Sequence, residues 1–179
     1  MNYKIGRNLI SKDEIHKKVA ELAAEIRRDF AGQTLICVCV LKGASIFLAD
    51  LIRAIGPEVD IQMDFLAISS YGASTKSSGV VKIQKDLGCD IQGKNVLIVE
   101  DILDTGLSLA YIKALLSERN PQTLSVCVLL DKEDRRIRDT EVQYSGFKIP
   151  DEFVIGYGLD FAGRFRHLED ICIAEPFED

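Results

Sequence analysis

The segment Val96 to Ala110, VLIVEDILDTGLSLA, concentrates chemistry as no other part of the chain does. Four apolar residues deliver two adjacent acids, Glu100 and Asp101, and two more apolar residues lead to Asp104-Thr105-Gly106-Leu107-Ser108. Backbone N–H groups of a loop that opens a helix bind an anion, and the Thr105 and Ser108 hydroxyls add donors. Gly106 lets backbone and anion approach closely. The carboxylates at the other end suit vicinal hydroxyls or a hydrated Mg²⁺. Phosphate and hydroxyls a short span apart describe a ribose 5-phosphate. Alone, a D-T-G triplet reads first as an ordinary helix cap. The two preceding acids give the longer pattern its specificity.

The elements that must position these residues follow from periodicity. Ser11 and Glu14 form a capping-box signature. Ile15, Val19, Leu22 and Ile26 recur at helical spacing after it, and Gly32 ends the run. Thr34 to Leu41 is continuously apolar, as in a strand buried on both faces. Ser45 to Ile55 reads as a helix. Val59, Ile61, Met63 and Phe65 alternate, as do Val81 and Ile83 against Lys82 and Gln84. These two strands flank the polar SSYGASTKSSG, so they are expected to form a hairpin with a mobile tip. Val96 to Val99 is a strand, Ser108 to Ser117 a helix and Leu124 to Leu130 another strand. Asp131 to Ser145 is polar and basic. Phe153 to Tyr157 and Ile171 to Ala174 are short late strands. The order predicts an α/β fold with a mostly parallel central sheet flanked by helices, in one domain over residues 1–179. Ligands of such sheets bind beyond the carboxyl ends of the strands. Those ends are Lys42-Gly43, Glu100 to Gly106, Asp131-Lys132 and Gly158-Leu159-Asp160.

Composition bounds the rest. The chain has 179 residues, 22 basic against 28 acidic, for a net charge of −6. That balance opposes a general nucleic-acid binder. The longest apolar run, Leu35 to Leu41, is too short for a bilayer span, and the N-terminus lacks a signal-like apolar core. A cytoplasmic location is expected. Five cysteines without C-x-x-C spacing, and two histidines, do not suggest a zinc site or a disulfide framework. Neither G-x-G-x-x-G after a strand nor G-x-x-x-x-G-K-[ST] is present, against dinucleotide-binding and P-loop proteins.

VLIVEDILDTG resembles the phosphoribosyl-pyrophosphate (PRPP) motif of the type I phosphoribosyltransferases. VCVLKGASIFLADL, SSYG, VCVLLDKEDRR and PDEFVIGYGLDFAGRFRHL extend the resemblance over nearly the whole chain, towards the purine salvage branch. The resemblance implies Mg²⁺-dependent transfer of the PRPP ribosyl phosphate to N9 of a 6-oxopurine. It further implies a small hood lobe from the N-terminal segment and residues after about 150, and a homodimer or homotetramer. Glu100 and Asp101 would hold the ribose hydroxyls and Mg²⁺, and residues Asp104 to Ser108 the 5-phosphate. Asp104 would exchange a proton at N7 of the base. Lys42 and Gly43, across a cis Leu41–Lys42 peptide, and Arg166 would bind pyrophosphate. Lys132 would donate to the purine O6, Phe153 would stack on the base, and Val154 would contact it through backbone. Asp160 would reach a second Mg²⁺ through water, and Ser70 and Tyr71 would form a lid. Where the family usually has tyrosine, this chain has Phe161. Taken singly, Lys42 and Lys132 could be surface charges and Phe153 a core residue. A related pyrimidine regulator, joining uracil phosphoribosyl transfer to RNA binding, is the main rival. Lys132 with Glu133-Asp134, and Phe153 in DEFVIGY, favour the purine branch.

Overall fold

The structure is a computed structural model that describes residues 2–70 and 81–177. Its larger sheet runs β4(Val81–Lys85), β3(Asp60–Ser70), β2(Thr34–Val40), β5(Asn95–Leu103), β6(Thr123–Asp131), β7(Tyr144–Lys148). All neighbours are parallel except β3 and β4, which form the antiparallel arm expected from their alternation. A smaller antiparallel sheet joins β1(Asn2–Ile10), β9(Ile171–Phe177) and β8(Val154–Ile155).

The central strands are apolar on both faces because both faces are covered. Along β2, Leu35, Cys37 and Cys39 turn to one side, where α1(Lys12–Phe30) and α2(Ser45–Ile55) lay Ile15, Leu22, Phe47 and Leu51 against them. Ile36, Val38 and Val40 turn to the other, against Leu109, Ile112 and Leu116 of α3(Leu107–Ser117). The capping box at Ser11 is formed, with Ser11 N–H donating to Glu14 Oε2 at 2.9 Å. Ile15, Val19, Leu22 and Ile26 are the buried stripe that periodicity marked.

Several elements differ from the sequence reading, among them β5, which runs past Val99 to Leu103. β1 was not expected, and β7 starts inside a stretch read as polar. The late strand read over Phe153 to Tyr157 contracts to Val154–Ile155. Its continuation is broken by positive φ at Gly156 (101°), Tyr157 (48°) and Gly158 (100°), a conformation no strand contains. Met63, on the alternating stripe of β3, is 57 % exposed, because β4 pairs only with the far end of β3, from Ala67 to Ser70.

Candidate active site

The chain leaves β2 towards β3 on one side, and β5 lies on the other. The gap between the carboxyl ends of β2 and β5 is therefore the switch point at which such sheets bind ligands. Lys42-Gly43 follows β2, and Glu100 and Asp101 lie in the last part of β5. The two meet closely, since a Cβ placed on Gly43 would overlap Asp101 Oδ2. The Leu41–Lys42 peptide is cis, and the Lys42 carbonyl accepts the Ser45 hydroxyl at 2.8 Å at the start of α2.

Glu100 Oε2 is closed to solvent and has no hydrogen-bond partner among the described residues. Burial, and then the neighbouring Asp101, push the Glu100 carboxyl well above the usual range. Asp101 is raised to about 6, chiefly by burial, against the opposing pull of its Ile102 amide bond and of Arg166. Two half-buried carboxyls side by side, one oxygen of them closed to solvent, form a site that a cation or a pair of hydroxyl donors would relieve. No group of three or more metal-ligating side chains occurs among the described residues. The acids therefore suit Mg²⁺ only in the manner usual for that ion, with one or two carboxylates and the remaining positions left to water and substrate oxygens.

A cavity of about 270 Å³ opens beside this pair, lined by Glu100, Ile102, Leu103, Asp104, Thr105, Gly106, Ser108 and Leu109. Gly106 stands at the N-cap of α3 with φ 81°, and no side chain caps the helix. A Cβ at Gly106 would collide with the Arg138 carbonyl, so both its φ and the close contact call for glycine. Thr105 C=O accepts the Ile137 and Arg138 amides, each at 3.0 Å. These bonds tie the loop before α3 to the segment that follows β6. Leu107 does not line the cavity; its amide donates to Thr105 Oγ1 at 3.4 Å.

Behind the carboxyl end of β6 lies Lys132, with its side chain 7 % exposed. Its ammonium has one carboxylate neighbour among the described residues, Asp151 Oδ1, at 3.7 Å. Arg135 Nε lies 3.1 Å from Asp104 Oδ1, and Arg135 NH1 lies 3.4 Å from Asp151 Oδ1. Arg136 pairs with the buried Asp131. Phe153 is 44 % exposed and packs at 5.2 Å on Tyr3 of β1 and edge-on at 6.0 Å to Phe161. Val154 is buried in β8, opposite Ile173.

Asp160 and Arg166 form a 2.6 Å ion pair. Asp160 Oδ2 also accepts the Gly163 amide at 2.6 Å, and Arg166 NH1 donates to Gly158 C=O at 2.5 Å. A Cβ on Gly158 would strike the Gly43 carbonyl, which joins the Arg166 loop to Lys42-Gly43. Ser70 is the last residue of β3, and Tyr71 lies outside the described residues.

The structure thus gathers Lys42, Gly43, Glu100, Asp101, Asp160 and Arg166 around the switch point. Asp104, Thr105, Gly106 and Ser108 lie beside them, and Lys132 follows Leu103 through its amide bond to the Leu103 carbonyl at 3.0 Å. Sequence reasoning missed Arg135, Asp151 and Tyr3. The charge alternation of DKEDRR and the aspartate opening DEF were the available signals, but neither names its partner.

The fold and this strand-end site define a transferase that handles a phosphorylated ribose. Residues 11–162 match the family model described as phosphoribosyl transferase domain, and the chain belongs to that family. Among curated relatives, the hypoxanthine-guanine phosphoribosyltransferase of Bacillus subtilis is 45 % identical, covering 98 % of this chain and 97 % of its own. That of Mycobacterium avium is 49 % identical, over 94 % and 85 %. The crystal structure of a hypoxanthine-guanine phosphoribosyltransferase from Bacillus anthracis superposes with a TM-score of 0.90 at 43 % identity, over 98 % of this chain and 100 % of that one. A hypoxanthine phosphoribosyltransferase from Staphylococcus aureus gives 0.91 at 44 %, over 96 % and 92 %. Within the family, the chain falls among the enzymes of purine salvage.

Proposed function

We propose that this enzyme transfers the 5-phosphoribosyl group of PRPP to N9 of hypoxanthine and guanine, giving IMP or GMP and pyrophosphate, with Mg²⁺. One observation carries the reading. The unpartnered, buried Glu100 Oε2 sits beside Asp101, and the same cavity wall continues into the uncapped N-terminus of α3. A hydroxyl-and-metal end and a phosphate end lie within a single short segment.

In this reading the Thr105 and Ser108 hydroxyls and the free amides at the start of α3 seat the 5-phosphate. Glu100 and Asp101 accept the ribose 2- and 3-hydroxyls. Bound Mg²⁺ would neutralise the pyrophosphate leaving group, held by the same two acids and substrate oxygens, with Asp160 reaching the metal side through water. The bond from the ribose anomeric carbon to pyrophosphate breaks as the bond to N9 forms. Lys42, the Gly43 amide and Arg166 receive the departing pyrophosphate, a task suited to a guanidinium fork. Asp104 takes up the proton that the base sheds at N7. Lys132 donates to O6, and an amino group at that position would leave the ammonium without an acceptor. Phe153 stacks on the ring, worth about 1–3 kcal/mol, and Val154 meets its edge through backbone.

The test is to incubate the protein with PRPP and Mg²⁺ and offer hypoxanthine, guanine, xanthine, adenine or uracil separately. Nucleotide from hypoxanthine and guanine, abolished by chelation, is the expected result. Product from uracil alone would replace the purine reading, and product from none would remove the enzyme reading. We further expect a homodimer or homotetramer, checked by light scattering. A cytoplasmic location is supported by the five unpaired cysteines. No helix among the described residues is long and apolar enough to cross a membrane.

A further inference from the structure

We infer that Asp151 is a positioning residue for the purine edge, aiming Lys132 directly and Asp104 through Arg135; the inference rests on the function proposed above. Lys132 arrives at the site on a buried stem. A buried ammonium needs a carboxylate nearby, yet a donor to the base must keep its protons free. Asp151 Oδ1 at 3.7 Å meets both demands, since it is near enough to attract the charge and too far to take a hydrogen bond. The same oxygen stands 3.4 Å from Arg135 NH1. The other limb of that guanidinium places Nε 3.1 Å from Asp104 Oδ1. Asp104 Oδ1 accepts no well-directed hydrogen bond, so this ion-pair contact is what orients its carboxylate among the described residues.

Three chain segments meet in this network. Asp104 lies in the loop between β5 and α3, Lys132 and Arg135 follow β6, and Asp151 lies between β7 and β8, two residues before Phe153. Asp151 therefore couples the donor for O6 to the group that handles the N7 proton. These two atoms lie on the edge that hypoxanthine and guanine share. The C2 edge, where the two bases differ, is not touched by this network.

Asp151→Asn keeps the shape and removes the charge. Loss of the carboxylate that faces the buried Lys132 ammonium predicts a rise in KM for the base of about tenfold or more. The rise should be of equal size for hypoxanthine and guanine, with KM for PRPP within about twofold. Asp151→Glu should recover most of the loss, because the carboxylate can still reach both cations. An unchanged base KM in folded Asp151→Asn would overturn the inference. So would an equal rise in the KM of PRPP, or a rise for guanine alone. Should that variant fail to fold, Arg135→Gln on the exposed side of the network carries the kcat part: a lower kcat is expected, and wild-type kcat would overturn it. Turnover by the unsubstituted protein is measured alongside. If the unsubstituted protein forms no purine nucleotide, it is the proposed function that fails, separately from the outcome for Asp151.

Discussion

At Gly43 a single hydrogen atom decides whether the site forms. Asp101 Oδ2 occupies the space in which any other residue would carry a Cβ. Gly43→Ala must drive the Asp101 carboxylate away from the position from which it would bind ribose. Its expected effect is a PRPP KM raised about tenfold or more, the size of a lost hydrogen bond to a charged group, with little change in melting temperature. Steady-state kinetics with PRPP as the varied substrate check this, and an unchanged KM would dissociate Asp101 from the sugar. Asp104→Asn separates binding from chemistry. It keeps the side-chain volume and gives up only a half-exposed ion pair to Arg135, so stability should shift by no more than about 0.5 kcal/mol. Loss of the proton acceptor should lower single-turnover rates by roughly 10² to 10⁴, while PRPP binding persists in equilibrium dialysis.

Among the elements, the arm formed by β3 and β4 shows how one side chain replaces a missing ladder. Beyond Ala67 the strands pair, but below it the chain returns through Gly88 and Cys89, whose amides donate to Asp64 Oδ2 at 2.7 and 3.0 Å. The Phe65 amide donates to Oδ1 at 2.7 Å. Burial, the largest single influence, would raise this carboxyl; the three amides and the Cys89 thiol together overcome it and bring it down to about 2. Its folded value lies below the unfolded one, so the stabilisation is present above about pH 4 and is lost as pH falls through about 2. Against Asp64→Asn, the wild type should be more stable by roughly 2 kcal/mol at pH 7. The gap should close towards pH 2, as followed by urea denaturation at successive pH values. A gap independent of pH would mean that the clasp works by shape alone. The same contrast explains what was legible in the sequence. α1 and α2 could be read because their signals, a capping box and a stripe, lie within a few residues of one another. β1 pairs with β9 from the opposite end of the chain, Asn2 with Phe177, and has no regular apolar alternation to announce it. β7 includes Gly146, whose close approach to the Leu129 carbonyl is a tertiary fact. Glu100 to Ser108 was legible as a contiguous motif, whereas Asp151 acquires its meaning only when β6 and β8 have been placed.

Across the whole molecule, the acidic balance and the anionic ligand are reconciled by division of labour. In the proposed function, the half-buried Glu100 and Asp101 are kept for cations and hydroxyls, and the phosphates are left to amides, Lys42 and Arg166. That division requires the loop after β8, which carries Asp160 and Arg166, to stay in register with the loop after β2. Gly158 against the Gly43 carbonyl sets the contact, and a phenol secures it from behind. Tyr157, held at φ 48°, donates to Asp50 Oδ2 of α2 at 2.7 Å from a buried position. Burial and that carboxylate push the phenol upward, so it remains a donor throughout the working pH range. Tyr157→Phe keeps the ring and removes only this bond, at a cost of about 1 kcal/mol. Because α2 starts immediately after Lys42-Gly43-Ala44, the lost tether should be felt by the pyrophosphate portion of the ligand. The expected signature is a modest fall in melting temperature, a higher KM for PRPP and a weaker pyrophosphate product inhibition, with the KM for hypoxanthine unaltered. A base KM that rises in step with that of PRPP would show that the two loops move with the purine pocket as one body, and that the tether serves the whole site.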